Sequence, residues 1–120
     1  MTPHTRPTIF LGSSQKDLKK LPIDVKDVFT QGLYAASLGE EPVGSKVLKG
    51  FGGRHVVELI EDHRGDTYRA VYTIKFKEAV YVLHVFKKKS TKGIATPKRD
   101  KELIDKRLKD AISHHKMYFN

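Results

Sequence analysis

The stretch that most constrains this chain is residues 79–92, AVYVLHVFKKKSTK, where seven of the first eight residues are apolar and lysines follow without a break. An apolar run with no alternation, rich in β-branched and aromatic residues, marks a strand buried on both faces, inside a sheet rather than at its rim. Its end then brings Lys87, Lys88, Lys89 and Lys92 to one edge of the fold. Rigid backbone holds those cations in fixed positions, as a phosphate-handling site requires.

The rest of the chain supplies what such a strand needs. Segments 54–61, 67–75 and 79–87 read as three consecutive strands, with turn chemistry in His63-Arg64-Gly65-Asp66 and a short Lys77-Glu78 connection. Short connections mean antiparallel neighbours. Residues 8–11 read as an edge strand, closed by Gly12-Ser13-Ser14. Ser14 followed by Asp17 is an N-cap signal and predicts a short helix over 15–20. Pro22 suits the first turn of a second helix, Val25, Val28, Phe29, Leu33 and Ala36 form its apolar stripe, and Gly39 stops it. After Pro97, the spacing of Leu103, Ile104, Leu108, Ala111 and Ile112 predicts a helix over 100–114. Residues 40–53 read as irregular. Their glycines match neither the Walker nor the dinucleotide spacing, and no helix follows them. The expected order is βααβββα, an α+β domain spanning 1–120 with the first two helices over one face of the sheet.

Charge points to a polyanion. The chain has 120 residues and a net charge of +9. Residues 86–120 carry 11 basic and 4 acidic side chains, whereas residues 54–85 carry 5 of each. Such an excess at one end suits nucleic acid first and an acidic protein second, and a solvated helix is the plain alternative. The absence of cysteine excludes disulfides, thiolate chemistry and cysteine-ligated zinc. No apolar run approaches the length of a membrane span and no signal-peptide pattern opens the chain, so the expected compartment is the cytoplasm, without membrane attachment.

Gly-Asp-Thr-Tyr-Arg-Ala-Val-Tyr (65–72), Val-Tyr-Val-Leu-His-Val-Phe (80–86), Lys-Lys-Ser (88–90) and Thr-Pro-Lys (96–98) occur in an order that resembles a known family. It is the phage-derived, HigB-like branch of the RelE/ParE superfamily of toxins from type II toxin–antitoxin pairs. Lys-Gly-Phe-Gly (49–52) and Leu-Gly-Ser-Ser (11–14) extend the resemblance over almost the whole chain. The resemblance implies a small twisted antiparallel sheet with helices packed on one face. It also implies a metal-independent endoribonuclease acting on mRNA, often on the ribosome, and a helix-turn-helix antitoxin as partner. Two alternatives stay open: a ParE-like toxin that inhibits DNA gyrase by binding, and a non-catalytic nucleic-acid-binding domain.

Metal-free RNA cleavage uses the ribose 2′-OH as nucleophile, so the protein must move protons and neutralise a dianionic phosphorane. Arg69 suits the second task through its planar, permanently charged fork, and the resemblance places it at the phosphate-stabilising position. An internal ion pair with Glu58 or Glu61 is the competing structural role. Lys88 and Lys87 are the catalytic lysine candidates, of which the resemblance favours Lys88. Lys89, Ser90, Lys92, Lys98, Arg99 and Arg64 are candidate RNA contacts, with Thr96 a further hydroxyl. Candidates for proton transfer are His84, His63 and Tyr118, though a mid-strand histidine such as His84 is more often a core residue. His114-His115 read as terminal helix surface. No histidines pair at ligand spacing beside a carboxylate, so no metal or other cofactor is expected.

Overall fold

The computed structural model describes residues 5–53, 55–88 and 96–119. Among the described residues five strands form one sheet: β1 (Thr8–Phe10), β2 (Ser45–Val47), β3 (Val56–His63), β4 (Asp66–Thr73) and β5 (Val80–Lys88), ordered β1-β5-β4-β3-β2. The helices are α1 (Ser14–Lys19), α2 (Ile23–Ser37) and α3 (Lys98–Tyr118). Strand β5 lies between β1 and β4, and its residues Val80 to Val85 are all buried. The apolar run is therefore an interior strand, as its lack of alternation requires.

Several features differ from the expectations drawn from the sequence. The sheet is mixed rather than wholly antiparallel, because β1 runs parallel to β5 with Thr8 opposite Val80. Residues 40–53 are not entirely irregular: Ser45–Val47 pairs antiparallel with β3 as the far edge strand. The first joins segments far apart in sequence and the second crosses the connection 48–55, so no tight turn announces either. The last helix also begins at Lys98 and runs to Tyr118, with Pro97 at its N-cap.

The helices lie on both faces of the sheet, not on one as the resemblance implies, because α3 carries an apolar stripe of its own that needs a sheet face left free by α1 and α2. On one side Leu18 of α1 and Val25, Phe29, Leu33 and Ala36 of α2 pack on Val57, Leu59, Tyr68, Ala70, Tyr72, Val80, Val82 and Val85. On the other, Ile104 and Ala111 of α3 pack on Val56, Val71, Tyr81 and Leu83. Each large side chain so buried contributes about 1.5–3 kcal/mol, which is how helices of modest propensity are held. Gly39 ends α2 with φ 81°, the left-handed geometry that favours glycine. Ser14 does not cap α1. It is the buried first residue of that helix and donates to the Val82 carbonyl, while the N-cap Ser13 bonds Asp17 at 2.7 Å.

A β-bulge in β5 sets the geometry of everything beyond it. Val71 lies opposite His84 and Tyr72 opposite Val82, which leaves Leu83 without a counterpart on β4. The extra residue breaks the alternation, so Leu83 and His84 both turn toward α3. Downstream, Phe86 and Lys88 follow His84, whereas Val85 and Lys87 turn to the α1–α2 side. Arg107 of α3 donates to the Leu83 carbonyl at 2.9 Å and to Ser13 Oγ at 3.3 Å, tying helix, bulge and the start of α1 together.

Candidate functional site

The α3 side of the sheet gathers several of the residues singled out from the sequence. Arg69 on β4 lies opposite Ile60 of β3 and Phe86 of β5. Lys88 lies opposite Thr67, and His84 opposite Val71, so both share the Arg69 face. The start of α3 adds Lys98 and Arg99, both exposed.

Arg69 is only 3% exposed and Glu58 6%. The Arg69 guanidinium donates to the two Glu58 carboxylate oxygens at 3.1 and 3.3 Å, and to Thr96 Oγ1 at 3.4 Å. The ion-pair role is therefore present, and its partner is Glu58 rather than Glu61. Strand alternation decides this, because Glu61 points to the opposite face. Thr96, just before α3, is 95% shielded and bound to protein rather than offered to solvent. Arg69 thus anchors the entry to α3 as well as a carboxylate.

His84 stacks on Phe86, with ring centroids 4.4 Å apart and planes 14° from parallel. Its Nε2 lies 2.8 Å from Asp100 Oδ1. Burial holds its pKa below the usual 6.5, against the upward pull of the Asp100 hydrogen bond and charge, and Arg107 adds to the lowering. The imidazole is therefore neutral at pH 7. A carboxylate only accepts, so Nε2 carries the proton. Nδ1 is enclosed and has no hydrogen-bond partner among the described residues. His84, Arg99, Asp100, Leu103 and Lys106 line one shallow cleft at the start of α3. A ligand there meets the Asp100 side of the pair, which is 23% exposed. Asp100 escaped the sequence reading because only the fold brings it to His84.

Other candidates lie elsewhere. Lys87 emerges on the α1–α2 side, 3.7 Å from Asp66 Oδ2. His63 shares that side and its ring contacts Tyr68 at 6.4 Å. The bulge and strand parity thus separate Lys87 and His63 from Arg69 and Lys88. Arg64 occupies the β3–β4 turn at φ 51°, next to Gly65 at φ 84°. Tyr118 ends α3, roughly 27 Å along the helix axis from Asp100. It contacts His114, not the cleft. Lys89, Ser90 and Lys92 lie outside the described residues.

The far end of α3 is fastened rather than merely solvated. Tyr81 and His114 share a hydrogen bond at 2.8 Å, and His115 meets Glu78 at 2.6 Å while stacking on Phe76. The surface reading of His114-His115 is corrected by those contacts. No group of three or more His, Asp or Glu side chains among the described residues is arranged to hold a metal ion. Among the described residues no helix is long and apolar enough to cross a membrane.

Residues 16–109 match the protein family described as phage derived protein Gp49-like (DUF891). That span includes Glu58, Arg69, His84, Lys88 and Asp100. No curated protein matches the chain. Among solved structures, the chain is similar to the crystal structure of the toxin–antitoxin complex RelBE2 from Mycobacterium tuberculosis. The identity is 22%, over 75% of this chain and 98% of that one, with a TM-score of 0.48.

Proposed function

We propose that this chain, which belongs to the phage-derived Gp49-like family, is the toxin of a toxin–antitoxin pair and cleaves RNA without a metal. The observation that carries this reading is the convergence of Lys88, Arg69 and the His84–Asp100 pair on one sheet face, beside the cationic start of α3. Lys98 and Arg99 oppose the helix dipole there, at a cost of a few tenths of a kcal/mol each. A bound phosphate removes that repulsion, which suits a site built for a polyanion.

In this reading the RNA backbone lies along the cleft, with its phosphates against Lys88 and Arg99. The attacking 2′-OH gives its proton to the Asp100–His84 pair, the cations neutralise the phosphorane, and the 5′-oxygen leaves with a proton from the Lys88 ammonium. Arg69 acts first by holding Thr96 and hence the start of α3. Direct contact with phosphate requires it to exchange Thr96 for the ligand. DNA lacks the nucleophile and is bound without being cut. The partners proposed are mRNA, with the ribosome as the place of cutting, and a helix-turn-helix antitoxin that neutralises the toxin, as in the HigB-like branch.

The buried Arg69–Glu58 pair favours a second reading. With its strongest cation neutralised, the same face binds a target without cutting, as a ParE-like inhibitor or a nucleic-acid-binding module would. Incubation of the purified protein with single-stranded RNA in excess EDTA separates the two. Fragments ending in 2′,3′-cyclic phosphate support cleavage, while intact RNA in a retarded complex supports binding alone.

A further inference from the structure

A second surface has the opposite character. Between α2 and the far end of β3 runs a groove walled by Val28, Gly32, Ala35, Pro42, Val43 and Ile60. Val43 is fully exposed and Val28 nearly half exposed. Gly32 creates the groove: a Cβ there would lie 2.8 Å from Leu59 Cδ1, so the helix rests directly on the sheet at that point.

The charge around this groove is reversed. Residues 23–45 hold Asp24, Asp27, Glu40 and Glu41 against the single cation Lys26, in a chain of net charge +9. Glu61 lines the groove itself. None of these five carboxylates makes an ion pair among the described residues. Asp24 and Asp27 share a helical side with Val28 and Gln31.

The backbone beside it is also open. β2 pairs with β3 only as far as Leu59, and no described strand continues along that edge. The Val56 carbonyl accepts from the Leu48 amide on this side, and alternation turns the backbone groups of Ile60 and Asp62 the same way. Edges of this kind are templates for strand addition.

Carboxylates repel RNA, so the groove does not extend the nucleic-acid face. A two-fold pair of copies would set carboxylate on carboxylate, and a contact with another copy's basic face would propagate without closing. We infer that the groove docks a partner protein through an extended basic segment. The segment adds as a strand to β3 at Ile60 and Asp62, seats apolar side chains on Val28 and Val43, and places lysine or arginine against Glu61 and its neighbours. This docking holds whatever the opposite face does to RNA.

The test titrates the isotope-labelled full chain with a short alternating lysine–valine peptide, its glutamate–valine counterpart and a short single-stranded RNA. The expected result is salt-sensitive movement of the Val28, Val43, Ile60 and Asp62 amide signals with the lysine peptide alone. Val43→Lys, a change at a fully exposed side chain, and Glu61→Lys should each weaken that binding by about fivefold or more. Equal response to both peptides, no response to either, or movement of these signals by the RNA overturns the inference. Concentration-dependent movement without peptide overturns it too, by making a second copy the occupant.

Discussion

Arg69 and Glu58 form a buried ion pair with a shortest contact of 3.1 Å, and the same guanidinium reaches Thr96 at the entry to α3. Removing one partner leaves the other charge uncompensated in the interior, at a typical cost of about 3–5 kcal/mol. Arg69→Ala and Glu58→Ala are each expected to destabilise on that scale in urea unfolding. The double replacement Arg69→Met with Glu58→Leu should cost much less than the two single changes together. Additive losses would show that the two side chains act independently.

His84 links stability to pH. Its folded pKa lies below the usual 6.5, so the unfolded chain binds more protons as the solution is acidified. Stability from this group is fully present above about pH 6.5 and declines as pH falls toward the lowered value. His84→Gln should flatten that part of the profile in urea unfolding between pH 7.5 and 5. Glu78 is held below 4.5 first by its His115 hydrogen bond, so its contribution is lost only at lower pH. A slope between pH 6.5 and 5 that survives in His84→Gln would assign it to another group.

Gly12 carries a packing requirement at the other end of α3's anchorage. Its φ is 55°, and a Cβ would lie 2.6 Å from Arg107 Cζ. Gly12→Ala therefore strains the backbone and pushes the guanidinium off the Leu83 carbonyl, for an expected loss of about 1–3 kcal/mol. Arg107→Ala should make the glycine change markedly cheaper, and calorimetry of the four variants measures the coupling.

Strand alternation sends two adjacent lysines to opposite faces and the bulge decides which face each takes, which gives a sharp comparison. Lys88 shares the Arg69 face, whereas Lys87 sits beside Asp66 on the other side. Lys88→Ala should weaken RNA binding and reduce the slope of log affinity against log salt by about one, and Lys87→Ala should leave both nearly unchanged. The reverse order would place the RNA on the α1–α2 side.

How much of this was legible in the sequence follows from the range of the forces involved. Local signals gave all three helices and the β3–β5 meander: the Ser14–Asp17 spacing, the apolar stripe of Val25, Phe29, Leu33 and Ala36, and the unbroken run before Lys87 all act over a few residues. The parallel β1–β5 pairing was not legible because its partners are distant in sequence, and β2 was not because three residues carry too little pattern and no tight turn joins them to β3. Alternation alone would have turned His84 away from α3. One extra residue at Leu83 reversed it, and no residue type announces a bulge of that kind. Asp100 looked like an ordinary first-turn acid until the fold set it against His84. Arg69 was legible as a residue of consequence, with a phosphate-binding and an ion-pair role both open to it, but choosing Glu58 over Glu61 needed the strand parity.

The central claim is that the face bearing Lys88 and the His84–Asp100 pair cuts RNA. Its most direct test is brief induction of the chain in a bacterial host, with mRNA 5′ ends mapped beside Lys88→Ala and Asp100→Asn variants of equal solubility. The expected result is growth arrest with new 5′ ends inside messages for the parent chain and neither effect for the variants. Arrest without new 5′ ends, or new ends that persist undiminished in both variants, would contradict it.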